Sequence, residues 1–499
     1  MSSTKTFFGH PRGLATLFFT EMWERFSYYG MRAILILFLR DSIENGGLGL
    51  DAKNSAAIYG LYTMFVYLLA MPGGWLADNF FGLRKSVFIG GCFIAVGHFF
   101  LVIPTTETFF IGLVCIVLGV GLLKPNISGI VGGLYSTQEQ SKRDAGFSIF
   151  YMGINIGAFI GPIIAGAIGE RIAWNLGFGV AGIGMVLGLI QYKLTEKYLG
   201  DIGVEPARLN DASAQTRRDS MVKKVLIGFG ITLITVLVLG LTHTITINPF
   251  VIANASGIII FVSVISYFIY ILFFGGLNAV ERKKISVIGI LFIFSALFWS
   301  GFEQAGSSLN IFALEYSDRN FLGWEIPASW MQSVNAIFII ALSPMFAWLW
   351  VWLANRNIQP NTPAKFSYGL LLLAAGFACV AVAAYYVTDG NKPLFWWLIL
   401  TYLLHTMGEL CLSPVGLSAV TKLSPKKLVG QMMGIWFMSV AFGNLIAGLM
   451  AGGIDDAEIQ ADPSILPNLF WFVVLTTGAG GFVLLIFNKP IRKLMGDIH

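Results

Sequence analysis

Residues 250–275 read FVIANASGIIIFVSVISYFIYILFFG and carry no Asp, Glu, Lys or Arg. A run of about 20 apolar residues is long enough for an α-helix to cross the hydrocarbon core of a bilayer. Thirteen more segments are of similar length and predominantly apolar, although several contain charged residues. They lie at 14–39, 55–77, 83–103, 108–133, 145–168, 173–192, 223–242, 285–314, 328–354, 366–387, 393–420, 430–452 and 467–488. Strands of a membrane β-barrel would be about ten residues long and would alternate in polarity. The sequence therefore predicts an all-α polytopic membrane protein with fourteen transmembrane helices.

The overall composition excludes most classes of soluble protein. Hydrophobic types make up 56% of the 499 residues and the four charged types only 12%, whereas a soluble domain has about 25% charged residues. A soluble chain of this length would need more polar side chains to cover its surface. We therefore expect no soluble enzyme, no nucleic-acid partner and no disordered scaffold, and we expect the lipid bilayer to surround the protein.

Lysine and arginine are distributed unequally between alternate loops. With the N-terminus placed inside, 24 of the 32 Lys and Arg residues fall in inside segments and 5 in outside loops. Loops rich in Lys and Arg stay on the cytoplasmic side during membrane insertion. We therefore expect a multi-pass protein of the cell (inner) membrane with both termini in the cytoplasm.

The longest charged connection, residues 193–222, interrupts the succession of apolar segments. Six segments precede it, two (223–242 and 250–275) follow it directly, and six more complete the chain. We expect an N-terminal six-helix bundle over 14–192, a cytoplasmic linker with an inserted helical hairpin over 193–284, and a C-terminal six-helix bundle over 285–490. Transporters built from two such bundles often show only weak internal symmetry.

Seven ionisable residues lie deep inside the predicted spans, where charges are unfavourable. They are Glu21, Glu24, Arg25, Arg32, Lys124, Glu303 and Glu409. A charge at the bilayer centre costs about 2.5–3.5 kcal/mol on the insertion scale, so these side chains must face the protein interior or a water-filled cavity. Glu21 and Arg25 stand one turn apart on one helix. A structural ion pair is therefore the alternative to an ion or substrate pathway.

The charges of this set do not balance, because three are positive and four are negative. A low-dielectric interior disfavours the excess charge, and one proton bound to any of the carboxylates would remove it. The set therefore suggests proton linkage, without indicating which carboxylate takes the proton.

Polar side chains accompany the last of these charges. His405, Glu409 and Ser413 recur every four residues, and Pro414 follows, where it removes a backbone donor. A helix broken near the bilayer midplane commonly frames a binding site, and we expect such an opening at Pro414. The sequence contains no Ser/His/Asp arrangement, HExxH or paired metal-ligand spacing, so we expect neither an enzyme nor a metal site.

Five short motifs are shared with one family of transporters. Residues 21–30, EMWERFSYYG, contain an ExxER element. The other motifs are GGWLADNFFGLRK at 73–85, FYMGINIGA at 150–158, WSGFEQ at 299–304 and GELCLSPVG at 408–416. With these motifs the chain resembles the proton-coupled oligopeptide transporters of the major facilitator superfamily. The inserted helix pair is typical of prokaryotic members, and no histidine lies between 51 and 77, where animal members have one.

The resemblance implies that the protein imports di- and tripeptides together with protons by alternating access. It also implies the major facilitator superfamily fold, with two six-helix bundles and the inserted two-helix hairpin. Protons would be the coupling ion, no cofactor would be needed, and the chain would function as a monomer. A pocket that reads both ends of a peptide would reject chains longer than three residues, because each added residue lengthens an extended chain by about 3.6 Å.

The resemblance also assigns roles to individual residues. The peptide carboxylate would face Arg25, Arg32 and Lys124. The amino end would be held by Asn155, Asn335 and Glu409. The walls of the pocket or cavity would include Tyr28, Tyr29, Tyr67, Tyr151, Trp299, Ser413 and Trp436. Proton coupling would involve Glu21, Glu24 and Glu303.

Two other classes of protein remain open at this point. One is a proton-driven drug antiporter of the same superfamily with fourteen spans, which would favour hydrophobic cations and need no paired cations for a carboxylate. The other is a membrane-embedded receptor or enzyme, which would show no net flux. Uptake of a labelled dipeptide into vesicles, driven by acidification, distinguishes these classes.

Overall fold

The computed structural model of the protein describes residues 6–136, 138–206, 211–242, 244–356, 358 and 360–496. The helices before the predicted hairpin are α1 (Gly13–Arg40), α2 (Ala52–Leu68), α3 (Ala70–Leu76), α4 (Leu83–Val102), α5 (Thr106–Gly133), α6 (Gln140–Arg171) and α7 (Trp174–Thr195). The hairpin consists of α8 (Ala212–Leu241) and α9 (Pro249–Phe274). The later helices are α10 (Ala279–Phe302), α11 (Ser308–Ile311), α12 (Met331–Asn355), α13 (Thr362–Thr388), α14 (Trp396–Leu423), α15 (Val429–Ala451), α16 (Asp456–Ala461), α17 (Ile465–Ile486) and α18 (Asn488–Met495). Two short strands, β1 (Asn320–Phe321) and β2 (Trp324–Glu325), pair antiparallel between α11 and α12.

Thirteen helical stretches in the described part of the chain are long and apolar enough to cross a membrane. α1 is 28 residues long, but its composition alone does not qualify it, because it holds Glu21, Glu24, Arg25 and Arg32. With α1 included, the stretches agree with the predicted apolar segments. The prediction of an all-α polytopic membrane protein is therefore confirmed.

The chain divides into two compact units, and the first comprises Met1–Met31 and Phe65–Asn248. Its helices α4 and α5 pack along a line of glycines. A Cβ atom on Gly97 would come within 2.7 Å of the Gly112 carbonyl oxygen, and one on Gly90 within 2.6 Å of the Gly119 carbonyl oxygen. Glycines allow this close approach of two backbones, which drives helix association in membranes by close packing.

The second unit comprises Arg32–Met64 and Pro249–His499. Here α2 meets α15, where a Cβ atom on Gly448 would lie 2.6 Å from the backbone nitrogen of Gly60. α13 and α14 approach in the same way, since a Cβ atom on Gly408 would lie 2.8 Å from the Gly369 carbonyl oxygen. The same small-residue packing therefore builds both units.

The compact units cut across helices that the sequence assigns to one bundle. α1 contributes to both units, as does α2 with the segment that follows it. The hairpin is also divided: Arg218 of α8 donates from Nη1 to Asn79 Oδ1 at 3.1 Å in the first unit. In the second unit Phe261 of α9 stacks on Phe442 of α15, with ring centroids 6.2 Å apart. The boundaries of the predicted bundles and linker stay predictions.

Pro414 lies inside α14, which runs through it without interruption. The expected helix opening at this residue was therefore wrong. α14 is packed on both sides of Pro414, with Gly408 against the Gly369 backbone and Gly416 against Trp436 and Phe366. This packing holds the helical geometry although the proline removes one backbone hydrogen bond.

The interruption occurs instead in the predicted span 285–314. α10 ends at Phe302, and a 3₁₀ turn over Glu303–Gly306 leads into α11. Two backbone carbonyls of this turn accept side-chain hydrogen bonds: Arg32 Nη2 donates to the Glu303 oxygen at 3.4 Å and Tyr402 Oη to the Ala305 oxygen at 3.4 Å. An irregular backbone is tolerated inside a membrane protein only where such partners are available.

Candidate functional site

Three buried charges lie within one turn of α1 in the first unit. Arg25 Nε is 2.9 Å from Glu21 Oε1 and 2.7 Å from Glu24 Oε2. Glu21 and Arg25 are each 3% exposed, and Glu24 is fully buried. Helical geometry places residues four apart on one face, so the sequence itself brings this triad together. The triad contains one carboxylate more than its arginine can balance.

Hydrogen bonding in the triad is incomplete among the residues that the structure describes. Glu21 Oε2, both oxygens of Glu24 and Arg25 Nη2 have no hydrogen-bond partner there, apart from the ion pairs above. A buried charged atom without a partner costs more than a neutral one. The triad therefore keeps acceptor capacity to which a proton can bind.

Lys124 on α5 is the second of the predicted cations within the spans of the first unit. Its Nζ lies 3.7 Å from the centroid of the Tyr67 ring, and both side chains are half-buried. Lys124 also interacts electrostatically with Glu24. An ammonium over an aromatic face is attracted by the ring quadrupole, so Tyr67 holds Lys124 in place without neutralising its charge.

Three tyrosines and an amide complete the predicted residues of the first unit. Tyr28 is buried, with its ring centroid 5.1 Å from that of Tyr29 and 5.5 Å from Arg25 Cζ. Asn155 is also buried and donates from Nδ2 to the Tyr151 carbonyl oxygen at 2.9 Å. Tyr151 is 44% exposed. The accessible tyrosines can contact a bound molecule, whereas the Asn155 amide nitrogen is used by its own helix.

The second unit contains an ion pair between residues far apart in the sequence. Arg32 Nη2 lies 2.5 Å from Glu303 Oε2, and Arg32 Nε donates to Tyr59 Oη at 2.8 Å. All three side chains are buried. The hydrogen bond to Tyr59 is charge-assisted, and such bonds are about twice as strong as neutral ones. The arginine that the resemblance assigns to a peptide carboxylate is thus already paired with a carboxylate of the protein.

Sequence reasoning missed two residues around this pair. One is Tyr59, and the other is Gly306, where a Cβ atom would lie 2.8 Å from Arg32 Nε and closer still to Tyr59 Oη. Tyr59 offered a signal, because it is a polar residue in an apolar segment, two turns before Tyr67. Gly306 offered none, since its need for a small side chain arises from residues of other helices.

Glu409 is the third of the predicted charges in the second unit. Asn335 Nδ2 donates to Glu409 Oε2 at 3.3 Å and to Thr406 Oγ1 at 2.9 Å. Asn335 and Glu409 are both half-buried. Because Arg32 is paired with Glu303, Glu409 is the unbalanced carboxylate among the predicted charges of this unit.

The remaining predicted residues of the second unit differ in their surroundings. Trp299 is half-buried, and its Nε1 has no hydrogen-bond partner in the described part of the chain. Ser413 is half-buried on α14. Trp436 is buried and packs against Gly416 and Phe366, with ring centroids 6.1 Å apart in the latter pair. Trp436 is therefore a core residue in this structure, whereas Trp299 and Ser413 keep accessible surface.

The predicted site residues thus divide between the two units. The first unit holds Glu21, Glu24, Arg25, Tyr28, Tyr29, Tyr67, Lys124, Tyr151 and Asn155. The second holds Arg32, Trp299, Glu303, Asn335, Glu409, Ser413 and Trp436. Among them the buried charges of the first unit balance, whereas the second unit has one carboxylate in excess.

Comparison with known proteins yields one family. The model described as PTR2: POT family matches residues 84–471. A peptide transporter of Yersinia enterocolitica is 41% identical over 505 residues, which covers 99% of this chain and 97% of the relative. A di-/tripeptide transporter of Lactococcus lactis subsp. cremoris is 37% identical over 512 residues, covering 99% and 98%.

Solved structures show the same relationship. The crystal structure of a peptide transporter POT in complex with sulfate superimposes with a TM-score of 0.89 at 39% identity, covering 99% of this chain and 97% of that one. A POT family transporter in complex with 5-aminolevulinic acid gives a TM-score of 0.86 at 35% identity, with 98% of each chain covered. The matched family and the similar proteins are membrane transporters rather than enzymes. The chain belongs to the POT family of proton-coupled oligopeptide transporters, which confirms the resemblance seen in the sequence.

Proposed function

We propose that the protein is a symporter that imports di- and tripeptides together with protons by alternating access. The observation that carries the proposal is the division of buried charge: Arg32 is paired with Glu303, which leaves Glu409 in excess in the second unit. A zwitterionic peptide offers one anion and one cation, which match a half-buried cation and a half-buried carboxylate. The relative named as a di-/tripeptide transporter supports peptides as the class of substrate.

The peptide carboxylate is assigned first to Lys124. This ammonium is half-buried, and it faces the ring of Tyr67. Arg32 is held by Glu303, so it binds a peptide carboxylate only after Glu303 has released it. Arg25 is enclosed by Glu21 and Glu24, and its contribution to the carboxylate is electrostatic.

The peptide amino group is assigned to Glu409. Asn335 donates to one oxygen of this carboxylate and orients it. An ammonium group would supply the missing cation through a charge-assisted hydrogen bond. Asn155 would join Asn335 and Glu409 at the amino end, as the resemblance implies. The exposed surfaces of Tyr29, Tyr151 and Trp299 would then contact the rest of the substrate.

A proton on Glu303 would link peptide binding to proton uptake. The neutral carboxylic acid no longer balances the Arg32 guanidinium, and the peptide carboxylate takes its place, so that the charges around Arg32 still sum to zero. Leaving one member of a buried ion pair without its partner is strongly unfavourable, which ties the two events together. The acceptor atoms of Glu21 and Glu24 provide a second position for a proton beside Arg25.

Glu303→Gln separates proton coupling from peptide binding. With the wild-type protein, uptake of labelled dialanine into liposomes should rise with an inward proton gradient and collapse when a protonophore is added. The variant should lose about tenfold or more of this driven uptake, equivalent to about 1.4 kcal/mol, because glutamine cannot take up and release the proton. It should still exchange labelled for unlabelled dialanine.

The matched control for this variant is Glu325→Gln. Glu325 is an exposed acid at the end of β2, and it pairs with Arg319, which lies just before β1. This change should leave both driven uptake and exchange intact. Wild-type uptake that ignores the gradient would contradict the proposed symport. Export of hydrophobic cations without peptide uptake would favour the drug antiporter.

Acetylation of the peptide tests the assignment of Glu409. N-acetyl-dialanine lacks the ammonium group and leaves the carboxylate without its partner, at a cost of about 1–3 kcal/mol. Its affinity in a competition assay should therefore be about tenfold lower or more than that of dialanine. In Glu409→Gln this penalty should shrink, whereas Glu325→Gln should retain it. An equal penalty in all three proteins would mean that another residue reads the amino group.

A further inference from the structure

A cavity of about 270 Å³ lies in the first unit where α4 begins and α7 ends. Arg84, Lys85 and Lys193 line it together with Phe88 and Ile89. None of these residues belongs to the charge set assigned to peptide or proton. The cavity therefore combines cations and apolar side chains at the ends of two membrane-spanning helices.

The charges around this cavity attract an anion. Three cations face one acid, Glu196, which lies 2.7 Å from Lys193 Nζ. Lys85 is exposed and forms no hydrogen bond or ion pair with any described residue. Arg84 donates from Nε to the Ile202 carbonyl oxygen at 2.8 Å and from Nη2 to that of Gly200, both of which are uncharged acceptors. The side chains that line the cavity therefore carry a net charge of about two positive units.

Hydrogen bonds to the backbone of Arg84 fix the start of α4 beside this cavity. The Arg84 amide donates to the Gly203 carbonyl oxygen at 2.9 Å, and Tyr192 Oη donates to the Arg84 carbonyl oxygen at 3.3 Å. The segment after α7 is thereby tied to the first turn of α4. Arg84 is therefore held in place before any ligand arrives, which lowers the entropic cost of binding one.

The apolar side of the cavity continues along both helices. Ile89 follows Lys85 by one turn, and exposed Phe93 and Val96 extend the same face of α4. On α7, Ile190 is exposed one turn from Lys193, toward the middle of the helix. The two helices are in close contact, since a Cβ atom on Gly91 would lie 2.6 Å from Leu189 Cδ2. The result is a surface with cations at its end and an apolar strip leading into the membrane.

We propose that this surface binds an anionic phospholipid. The phosphodiester would lie against Arg84, Lys85 and Lys193, and an acyl chain would follow Phe88, Ile89 and Phe93. Basic residues next to a membrane-spanning helix attract anionic lipid headgroups. A free phosphate ion shares the charge chemistry, but it would make no use of the apolar strip. A phosphatidylcholine headgroup carries its own cation, so it is neutral overall and would be attracted less strongly by the lysines.

The test is binding of phosphatidylglycerol to the purified full chain in detergent, measured by native mass spectrometry and compared with phosphatidylcholine. Wild type should bind phosphatidylglycerol more tightly. Lys85→Gln/Lys193→Gln should weaken this binding by about 30-fold, taking about 1 kcal/mol for each cation removed. Lys283→Gln/Lys489→Gln removes the same charge from lysines outside the cavity, both of them exposed, and should leave the binding unchanged.

Two further experiments distinguish the possible ligands and control for misfolding of the double variant. An excess of inorganic phosphate, or of glycerophosphoglycerol without acyl chains, should fail to displace the phospholipid, and displacement by either would show a site for free anions and overturn the proposal. Lys85→Gln alone removes a side chain that has no polar contact among the described residues, and it should weaken binding by about fivefold. Equal phosphatidylglycerol affinity in wild type, Lys85→Gln and the double variant would also overturn the proposal.

Discussion

The triad on α1 and the Arg32–Glu303 pair are both buried and charged, yet they arise in different ways. Glu21, Glu24 and Arg25 lie within one helical turn, so the triad exists whenever α1 is helical. Arg32 and Glu303 are 271 residues apart and meet only when α1 packs against the end of α10. The first cluster is therefore a local property of the chain, and the second is a tertiary one.

This difference separates the parts that the two clusters can play in transport. A local triad keeps the same geometry in every conformation that preserves α1, so it can hold or release a proton but cannot report how other helices are arranged. A pair between distant helices forms or breaks with their packing. Arg32–Glu303 is therefore the cluster whose charge state can be coupled to a conformational change.

The strongest test of this comparison removes the cation of the triad. Arg25→Ala leaves Glu21 and Glu24 buried without a neutralising partner, and the free energy of unfolding should fall by about 3–5 kcal/mol. The measurement is thermal or denaturant unfolding of the purified protein in detergent. Arg492→Ala, an exposed cation on α18, should change it little. Adding Glu21→Gln and Glu24→Gln to Arg25→Ala should recover part of the loss, and no recovery would show that the charges are not its cause.

Gly306→Ala breaks the tertiary pair and leaves the triad untouched. The added methyl group would press on Arg32 Nε and Tyr59 Oη, and overpacking of this kind costs about 1–3 kcal/mol. Proton-driven dialanine uptake should fall along with stability. Gly430→Ala is the matched control, because a Cβ atom there meets nothing within 4 Å. If both variants behaved like wild type, the Arg32–Glu303 pair would not depend on this close packing.

Tyr59→Phe gives the smallest expected effect. It removes the hydroxyl that accepts from Arg32 Nε at 2.8 Å but leaves the ion pair with Glu303. The free energy of unfolding should fall by about 1.5 kcal/mol, as for one hydrogen bond to a charged group. Tyr385→Phe, at a tyrosine 48% exposed, should be neutral. A loss as large as that of Arg25→Ala would mean that Tyr59 does more than support Arg32.

The helices of this protein were largely predictable from the sequence. The long apolar runs needed no tertiary information, because a chain that crosses a bilayer must satisfy its backbone hydrogen bonds within each helix. The exceptions were the places where packing overrides a local rule. Pro414 should have opened α14, but the contacts of Gly408 and Gly416 on either side keep it helical. The break at Glu303–Gly306 lacks a proline, and Arg32 and Tyr402 supply partners for its backbone.

The candidate site was predictable as a set of residues and only partly as a set of contacts. Charges within the spans, such as Lys124 and Glu409, stand out in an apolar sequence. Each is energetically costly in a bilayer, so charges at such positions are usually functional. Their neighbours do not stand out. The position of Lys124 over Tyr67 and the support of Glu409 by Asn335 depend on residues from other helices.

The sequence by itself therefore determined the class of fold, the transporter family and the residues that carry buried charge, because hydrophobic length and the energetic cost of a charge in lipid are properties of each segment alone. It also determined the triad on α1, since helical periodicity places Glu21 beside Arg25. Only the tertiary structure decided that Arg32 is already paired with Glu303 and that Gly306 must remain small. Those facts depend on which helices meet and at what distance, and no local pattern of residues contains that information.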